Sequence, residues 1–338
     1  DIQRVTTPNG LTAWLVEDHR NPIITINFAF RGGAALDPAG KEGLANLVAS
    51  TLDEGAGDLD SQQFQQELED LSVSLSFRAG QDSFSGSLRT LTRNRDRAFE
   101  LLKMALTRPR FDVDAVARIR SQTLAKLRRS SENPRQIAVR TLLKTLFPSN
   151  SYGSPVMGSA ETVPVIKVVD LKQFQAQRFA KDNLVVSVVG NVTTDFLEKM
   201  LDSVFGSLPE TAIPWKSEDI KATSGNRTIV IDKPIPQSVI RFGQAGIKRN
   251  DPDFFAAYIM NYVLGGGGFE SRLYKEIREK RGLAYSAYSY LSPYNHAGLI
   301  IGGSATENAR VAETISILKN EWRRMADQGL TLKELDDA

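Results

Sequence analysis

Residues 23–53 read IITINFAFRGGAALDPAGKEGLANLVASTLD. Ile23 to Arg31 is a β-rich run that stops at Gly32 and Gly33. Asp37-Pro38 comes next, and then a helix from about Gly43 to Asp53, with Leu44, Leu47 and Val48 on one face. The same order returns later in the chain. Ser238 to Phe242 is strand-like, Asp251-Pro252 follows, and Phe254 to Leu264 has helical spacing. The likeness extends outward on both sides. Leu11 to Glu17 precedes the first run as Thr228 to Ile231 precedes the second. A second helix follows each, from Ser61 (its expected cap) to about Leu71 and from about Ser271 to Glu279. Then come paired strands, Ser72 to Arg78 with Ser83 to Leu91, and Leu283 to Leu291 with Ala297 to Gly303. Helices at Asn94 to Leu106 and Asn308 to Met325 close the two series. This repeat predicts a duplicated α+β unit.

The first copy continues with helical patterns at Val113 to Arg129, Arg135 to Leu146 and Val169 to Phe179. A strand at Leu184 to Val189 and a helix from about Thr194 to Phe205 complete it. Pro209, Pro214, Ser217, Ser224 and Gly225 then break all periodicity. The expected division is a domain over 1–208, a linker over 209–225 and a second domain over 226–338. The second copy stops at the helix start Leu332 to Ala338, capped by Thr331, so it is expected to lack its last part.

Composition narrows the function. The hydrophobic fraction of 41% and the charged fraction of 24% are those of a folded globular chain. No run approaches the roughly 18 apolar residues of a membrane helix. A net charge of +2 gives no field for nucleic acid or anionic lipid, so neither is an expected partner. Cysteine is absent, which removes thiolate chemistry and cysteine metal sites. The two histidines, His19 and His296, each lack a second one at i+3 or i+4. Gly265 to Gly268 is followed by no Lys-Ser or Lys-Thr, so it does not read as a phosphate loop. Arg118, Arg120, Lys126, Arg128 and Arg129 read as a solvated helix face, and Tyr285, Tyr288, Tyr290 and Tyr294 as sheet-packing residues.

The first helix, Gly43 to Asp53, with Glu54-Gly55 after it and Arg31-Gly32-Gly33 before it, resembles the zinc helix of the insulinase/pitrilysin family. Active members carry H-x-x-E-H there, two histidines on one helix face with a glutamate that activates the zinc-bound water. Here those positions are Asn46, Ala49 and Ser50. The register puts Lys126 where the family has its third ligand, a glutamate on a later helix. A cation cannot ligate zinc. The resemblance therefore implies a chain with no metal site of its own.

The segment from Leu264 through Gly265-Gly266-Gly267-Gly268-Phe269 to Tyr274, and on through Glu276-Ile277-Arg278 to Gly282-Leu283-Ala284-Tyr285, resembles bacterial two-chain members and mitochondrial processing peptidase. The resemblance implies that Arg278 and Tyr285 reach an active site. A guanidinium and a phenol there donate hydrogen bonds to the carbonyl oxygen that gains charge during peptide hydrolysis.

The resemblance also implies two tandem α+β domains, each with helices on an antiparallel-rich sheet, forming half of a clamshell. It implies a heterodimer whose zinc-bearing paralogous subunit holds metal and base, while this chain lends Arg278 and Tyr285 to a peptide substrate. The alternative is a catalytically silent structural subunit, as in the core proteins of the respiratory cytochrome bc1 complex. The Asp1 start and the resemblance to exported bacterial members point to the periplasm.

Overall fold

The computed structural model describes residues 1–216, 218–223 and 225–338. Ser217 and Ser224, two of the residues of the expected linker, lie outside the described residues. The chain opens with β1 (Gln3–Thr6), β2 (Thr12–Glu17), β3 (Ile23–Arg31), α1 (Leu44–Ala49) and α2 (Ser61–Asp70). It continues with β4 (Ser74–Ala79), β5 (Ser83–Leu91), α3 (Arg95–Thr107), α4 (Val113–Glu132), α5 (Pro134–Leu146), α6 (Val168–Arg178), β6 (Leu184–Gly190) and α7 (Thr194–Phe205). Then follow β7 (Gln237–Ala245), α8 (Phe254–Asn261), α9 (Arg272–Tyr274), β8 (Ala284–Pro293), β9 (Gly298–Glu307), α10 (Val311–Gln328) and α11 (Leu332–Asp337). Two compact units result, 1–129 with 154–215, and 130–153 with 216–338. Segment 130–153 packs with the second unit because α5 lies on β7.

In the first unit a six-stranded sheet has the order β1-β2-β6-β3-β5-β4, antiparallel except between β2 and β6. Along β3, Ile24, Ile26, Phe28 and Phe30 are buried and their neighbours are not, the period of two that a strand imposes. Phe28 stands opposite Gly86 on β5. A Cβ at Gly86 would come within 2.2 Å of the Phe28 ring, so only glycine fits.

The helix start after Asp37-Pro38 is fixed by the Asp37 carboxylate, which accepts from the Gly43 and Ala45 amides at 2.8 and 3.0 Å. α1 ends at Ala49 rather than near Asp53. The Thr51 hydroxyl donates to the Leu47 and Val48 carbonyls at 2.7 and 3.1 Å, and Gly55 at φ +108° turns the chain away. α2 is capped by Asp60, not by Ser61: Asp60 and Gln63 each accept from the other's amide, a capping box.

In the second unit the sheet order is β7-β9-β8, all antiparallel. This repeats β3-β5-β4, with α8, α9 and α10 in the chain positions of α1, α2 and α3. The duplication read from the sequence is therefore the fold. Its core gathers Val263, Leu264, Leu273, Ile277, Leu283 and Leu318. One expected element is absent: Thr228 to Ile231 forms no strand. Ile229, Val230 and Ile231 are exposed, and no described strand runs alongside to pair with them, whereas β2 is held between β1 and β6. The helices expected at 254–264 and 271–279 both finish as π-helical turns, Tyr262–Gly266 and Lys275–Glu279. Single π turns of this kind collect at functional sites.

Candidate functional site

The site is built where α8 gives way to the glycine run and α9. The helix end lies hard against β8. A Cβ at Gly265 would sit 2.5 Å from the Ser289 amide nitrogen, and buried Asn261 exchanges two hydrogen bonds with buried Ser289. Gly268 at φ +58° then lets the chain turn back. Ser271 donates to the Gly268 carbonyl at 2.8 Å and precedes α9. The glycines therefore allow close helix–strand contact.

Arg272, almost fully buried, grips Glu334 at the start of α11 with two contacts of 2.6 Å and the Gly329 carbonyl at 2.8 Å. The fork holds the Glu334 carboxyl down at about 2 and pushes Arg272 upward.

Arg278 lies on the π turn that continues α9. Its carbonyl accepts from the Gly282 amide, and the Ile277 carbonyl from Leu283, both at 2.9 Å. Gly282 at φ +58° passes the chain into β8. The β8–β9 register slips between Ala284 and Ala287. This bulge leaves Tyr285 and Ser286 both exposed between two buried alanines, where strict alternation would bury one of them. Tyr285 is thus turned outward, 81% exposed, and is not a sheet-packing residue. The Arg278 guanidinium carbon lies 4.3 Å from the Tyr285 ring centre and 5.0 Å from that of Tyr274. Arg278 Nη1 also donates to the Tyr274 hydroxyl. Phe269 meets Tyr274 edge-on at 4.9 Å.

The structure thus brings Arg278 and Tyr285 together and adds Tyr274, which sequence reasoning did not single out. Its signal was there: Tyr274 and Arg278 are four apart on one helical segment, the spacing at which side chains meet.

The other tyrosines differ. Tyr294 stacks on buried Tyr152 at 4.6 Å, and Tyr288 lies beside Tyr290 at 6.2 Å.

The four positions of the first unit give a different result. Asn46 and Ser50 sit a helical turn apart, the Ser50 amide donating to the Asn46 carbonyl at 3.0 Å, and Ala49 is buried between them in sequence. Lys126 is exposed on α4. An amide, a methyl, a hydroxyl and an ammonium supply no zinc ligand set. Among the described residues no cluster of three or more His, Cys, Asp or Glu is arranged to hold a metal. His19 is engaged with Asn191 at 2.7 Å and Glu17 at 3.2 Å. Glu54, just past α1, is engaged with Arg118 at 2.6 Å and with the Ser61 hydroxyl. Zinc therefore does not fit this chain's residues. Arg118, Lys126, Arg128 and Arg129 are exposed on α4, as a solvated face requires, whereas Arg120 is half-buried and donates to the Ile166 carbonyl at 2.8 Å.

Residues 13–160 match the family described as insulinase (peptidase family M16), and residues 166–338 match the one described as the peptidase M16 inactive domain. The chain belongs to peptidase family M16. A Helicobacter pylori protein named non-peptidase homolog YmxG is 31% identical over 95% of this chain and 74% of its own length. A Rickettsia bellii protein named an uncharacterized zinc protease is 24% identical over 95% of this chain and 77% of its own. The crystal structure of a peptidase M16 inactive domain from Pseudomonas fluorescens superposes with a TM-score of 0.92 at 31% identity, over 100% of this chain and 82% of that one. In this M16 chain the aromatic-clamped arginine lies inside the inactive-domain match, and Asn46, Ala49 and Ser50 lie inside the insulinase match.

Proposed function

We propose that this chain is the zinc-less subunit of a two-chain M16 metallopeptidase. A paralogous partner supplies zinc, general base and cleavage machinery. This chain presents Arg278 and Tyr285 to the peptide. The carrying observation is the contrast between its two halves. Every zinc-ligand position is chemically incompetent, yet Arg278 is clamped at 4.3 Å from an outward-turned Tyr285. A side chain with no task has no need of a strand bulge to expose it. Chemically, the pair offers guanidinium N–H groups and a phenolic O–H side by side. Both donate to an oxygen that becomes negative as water attacks the carbonyl, and neither needs a metal on this chain. A periplasmic setting goes with this reading.

The test is peptidase activity of this chain, of its zinc-bearing partner, and of the mixture, with Arg278→Ala and Tyr285→Phe in the mixture. Activity only in the mixture, falling about 10²–10³-fold in either variant, is the expected result. Full activity of the partner alone, or indifference to both variants, rules the reading out.

A second reading is a catalytically silent M16 subunit with a structural or binding role. The name non-peptidase homolog, carried by the 31% identical relative, favours it. The same mixture decides between the two.

A further inference from the structure

Five cations lie between Arg272 and Arg281, and four of them are ion-paired. Arg272 pairs with Glu334 at 2.6 Å, Lys275 with Glu270 at 2.7 Å, and Lys280 and Arg281 both with Glu276 at 2.5 Å. Arg278 is the exception: among the described residues no carboxylate lies within ion-pair distance of it. Its neighbours are two aromatic rings and one phenol oxygen. A ring near the face of a guanidinium leaves its in-plane N–H groups free to pair. One of those groups is spent on buried Tyr274, which fixes the fork's direction. The Tyr285 hydroxyl adds a rotatable donor at an exposed position. A held, unneutralised fork beside a phenol is complementary to a planar anion with two acceptor oxygens.

We propose that Arg278, held by Tyr274 and flanked by Tyr285, is a binding site for a peptide's C-terminal carboxylate, with Tyr274 as its positioning residue. The peptide nature of the ligand rests on the reading above; the preference for a carboxylate does not. Hydrolysis of a peptide bond creates such a carboxylate, so the site would retain the N-terminal product of a cleavage. It would equally take a peptide trimmed elsewhere. Binding needs no zinc and no partner.

The experiment uses the full chain alone and two probes, N-acetyl-trialanine with a free carboxylate and the same peptide as its carboxamide. Calorimetry gives the affinities, and the Arg278 Nε–H resonance reports where the probe sits. The expected result is that the carboxylate binds at least about ten-fold more tightly than the carboxamide, since charge-assisted pairs are about twice as strong as neutral ones. Arg278→Gln should abolish that difference. Tyr274→Phe keeps the ring and should weaken carboxylate binding several-fold, while the Arg278 Nη resonances, slow to interchange in a held fork, average together. Equal binding of the two probes, binding unchanged in Arg278→Gln, or no binding of either overturns the proposal. Equal binding leaves the carbonyl-donor role of Arg278 and Tyr285 standing. Carboxylate selectivity in a chain that adds nothing to a zinc-bearing partner would instead remove the peptidase-subunit reading and keep the site.

Discussion

The Arg278 guanidinium carbon lies 4.3 Å from the Tyr285 ring centre, although a turn and a change from helix to strand separate the two residues. The contact depends on two local irregularities. The π turn Lys275–Glu279 sets the direction of Arg278, and the slip in the β8–β9 register sets that of Tyr285. Neither is a feature of a regular helix or strand, so the geometry is a product of the whole segment rather than of the two side chains alone.

Arg278→Lys separates charge from shape. Lysine keeps the positive charge but loses the planar fork and its stacking on the two rings. In the mixture with a zinc-bearing partner, kcat/KM should fall by about ten-fold or more, closer to Arg278→Ala than to the parent chain. A lysine variant with parental activity would mean that only a point charge is required.

Acid should release α11 from the second unit. The Glu334 carboxyl is held at about 2 by the Arg272 fork, below its ordinary value near 4.5. A depressed carboxylate contributes stability that is complete above the unfolded value and is lost as pH falls through the folded one. The window is therefore pH 4.5 down to 2. Because Glu334 keeps a quarter of its side chain in water, the contribution is about 1–2 kcal/mol rather than the full shift. Protection factors over 329–337, taken against the intrinsic exchange rate at each pH, should fall across that window. Glu334→Gln should show the reduced protection already at pH 7 and no further acid response.

The proposed motif positions can be tested with metal. Asn46→His, Ala49→Glu and Ser50→His place two imidazoles one helical turn apart, on α1 and at its C-cap. The parent chain should bind no zinc stoichiometrically, and the triple variant should bind it weakly. Adding Lys126→Glu should tighten zinc binding by ten-fold or more if 126 is the third ligand position. An unchanged affinity would show that the register along α4 is wrong, while leaving the α1 positions intact.

The duplicated order of elements was legible because β3, and the helices α3 and α10, carry their periods in local composition. The limits of that reading are equally local. Thr228 to Ile231 has strand composition, but a strand exists only where another lies beside it, and composition cannot supply the neighbour. Arg278 and Tyr285 were legible as a pair through family resemblance alone. The outward turn of Tyr285 was not, since a bulge is a relation between two strands and leaves no mark on one of them. Tyr274 was missed although its spacing to Arg278 was in plain view, because an aromatic residue on a helix is usually core. Here it is core on one side and a hydrogen-bond acceptor on the other.

The Asp-Pro step that marks each repeat does different work in the two units, and pH should reveal the difference. Asp37 is pushed up to about 7 by burial, in spite of the Gly43 and Ala45 amides that donate to it. Asp251 only accepts from the Asp253 amide in an exposed turn. A carboxyl whose folded value lies above its unfolded one binds a proton on folding, so its contribution is complete below about 4 and is lost as pH rises through 7. The first unit should therefore lose stability between pH 4 and 7, opposite in sign to the acid response of α11. Urea unfolding at fixed pH values, followed by hydrogen exchange in α1, reads this directly. Asp37→Asn should flatten the profile, because the amide keeps an acceptor oxygen for one of the two N–H groups and cannot ionise. Its stability at pH 5 should fall slightly, from the acceptor it loses, and its stability at pH 8 should match or exceed that of the parent. A variant that still weakened between pH 4 and 7 would place the titrating group elsewhere, with Asp53, raised to about 6 by burial, as the next to replace.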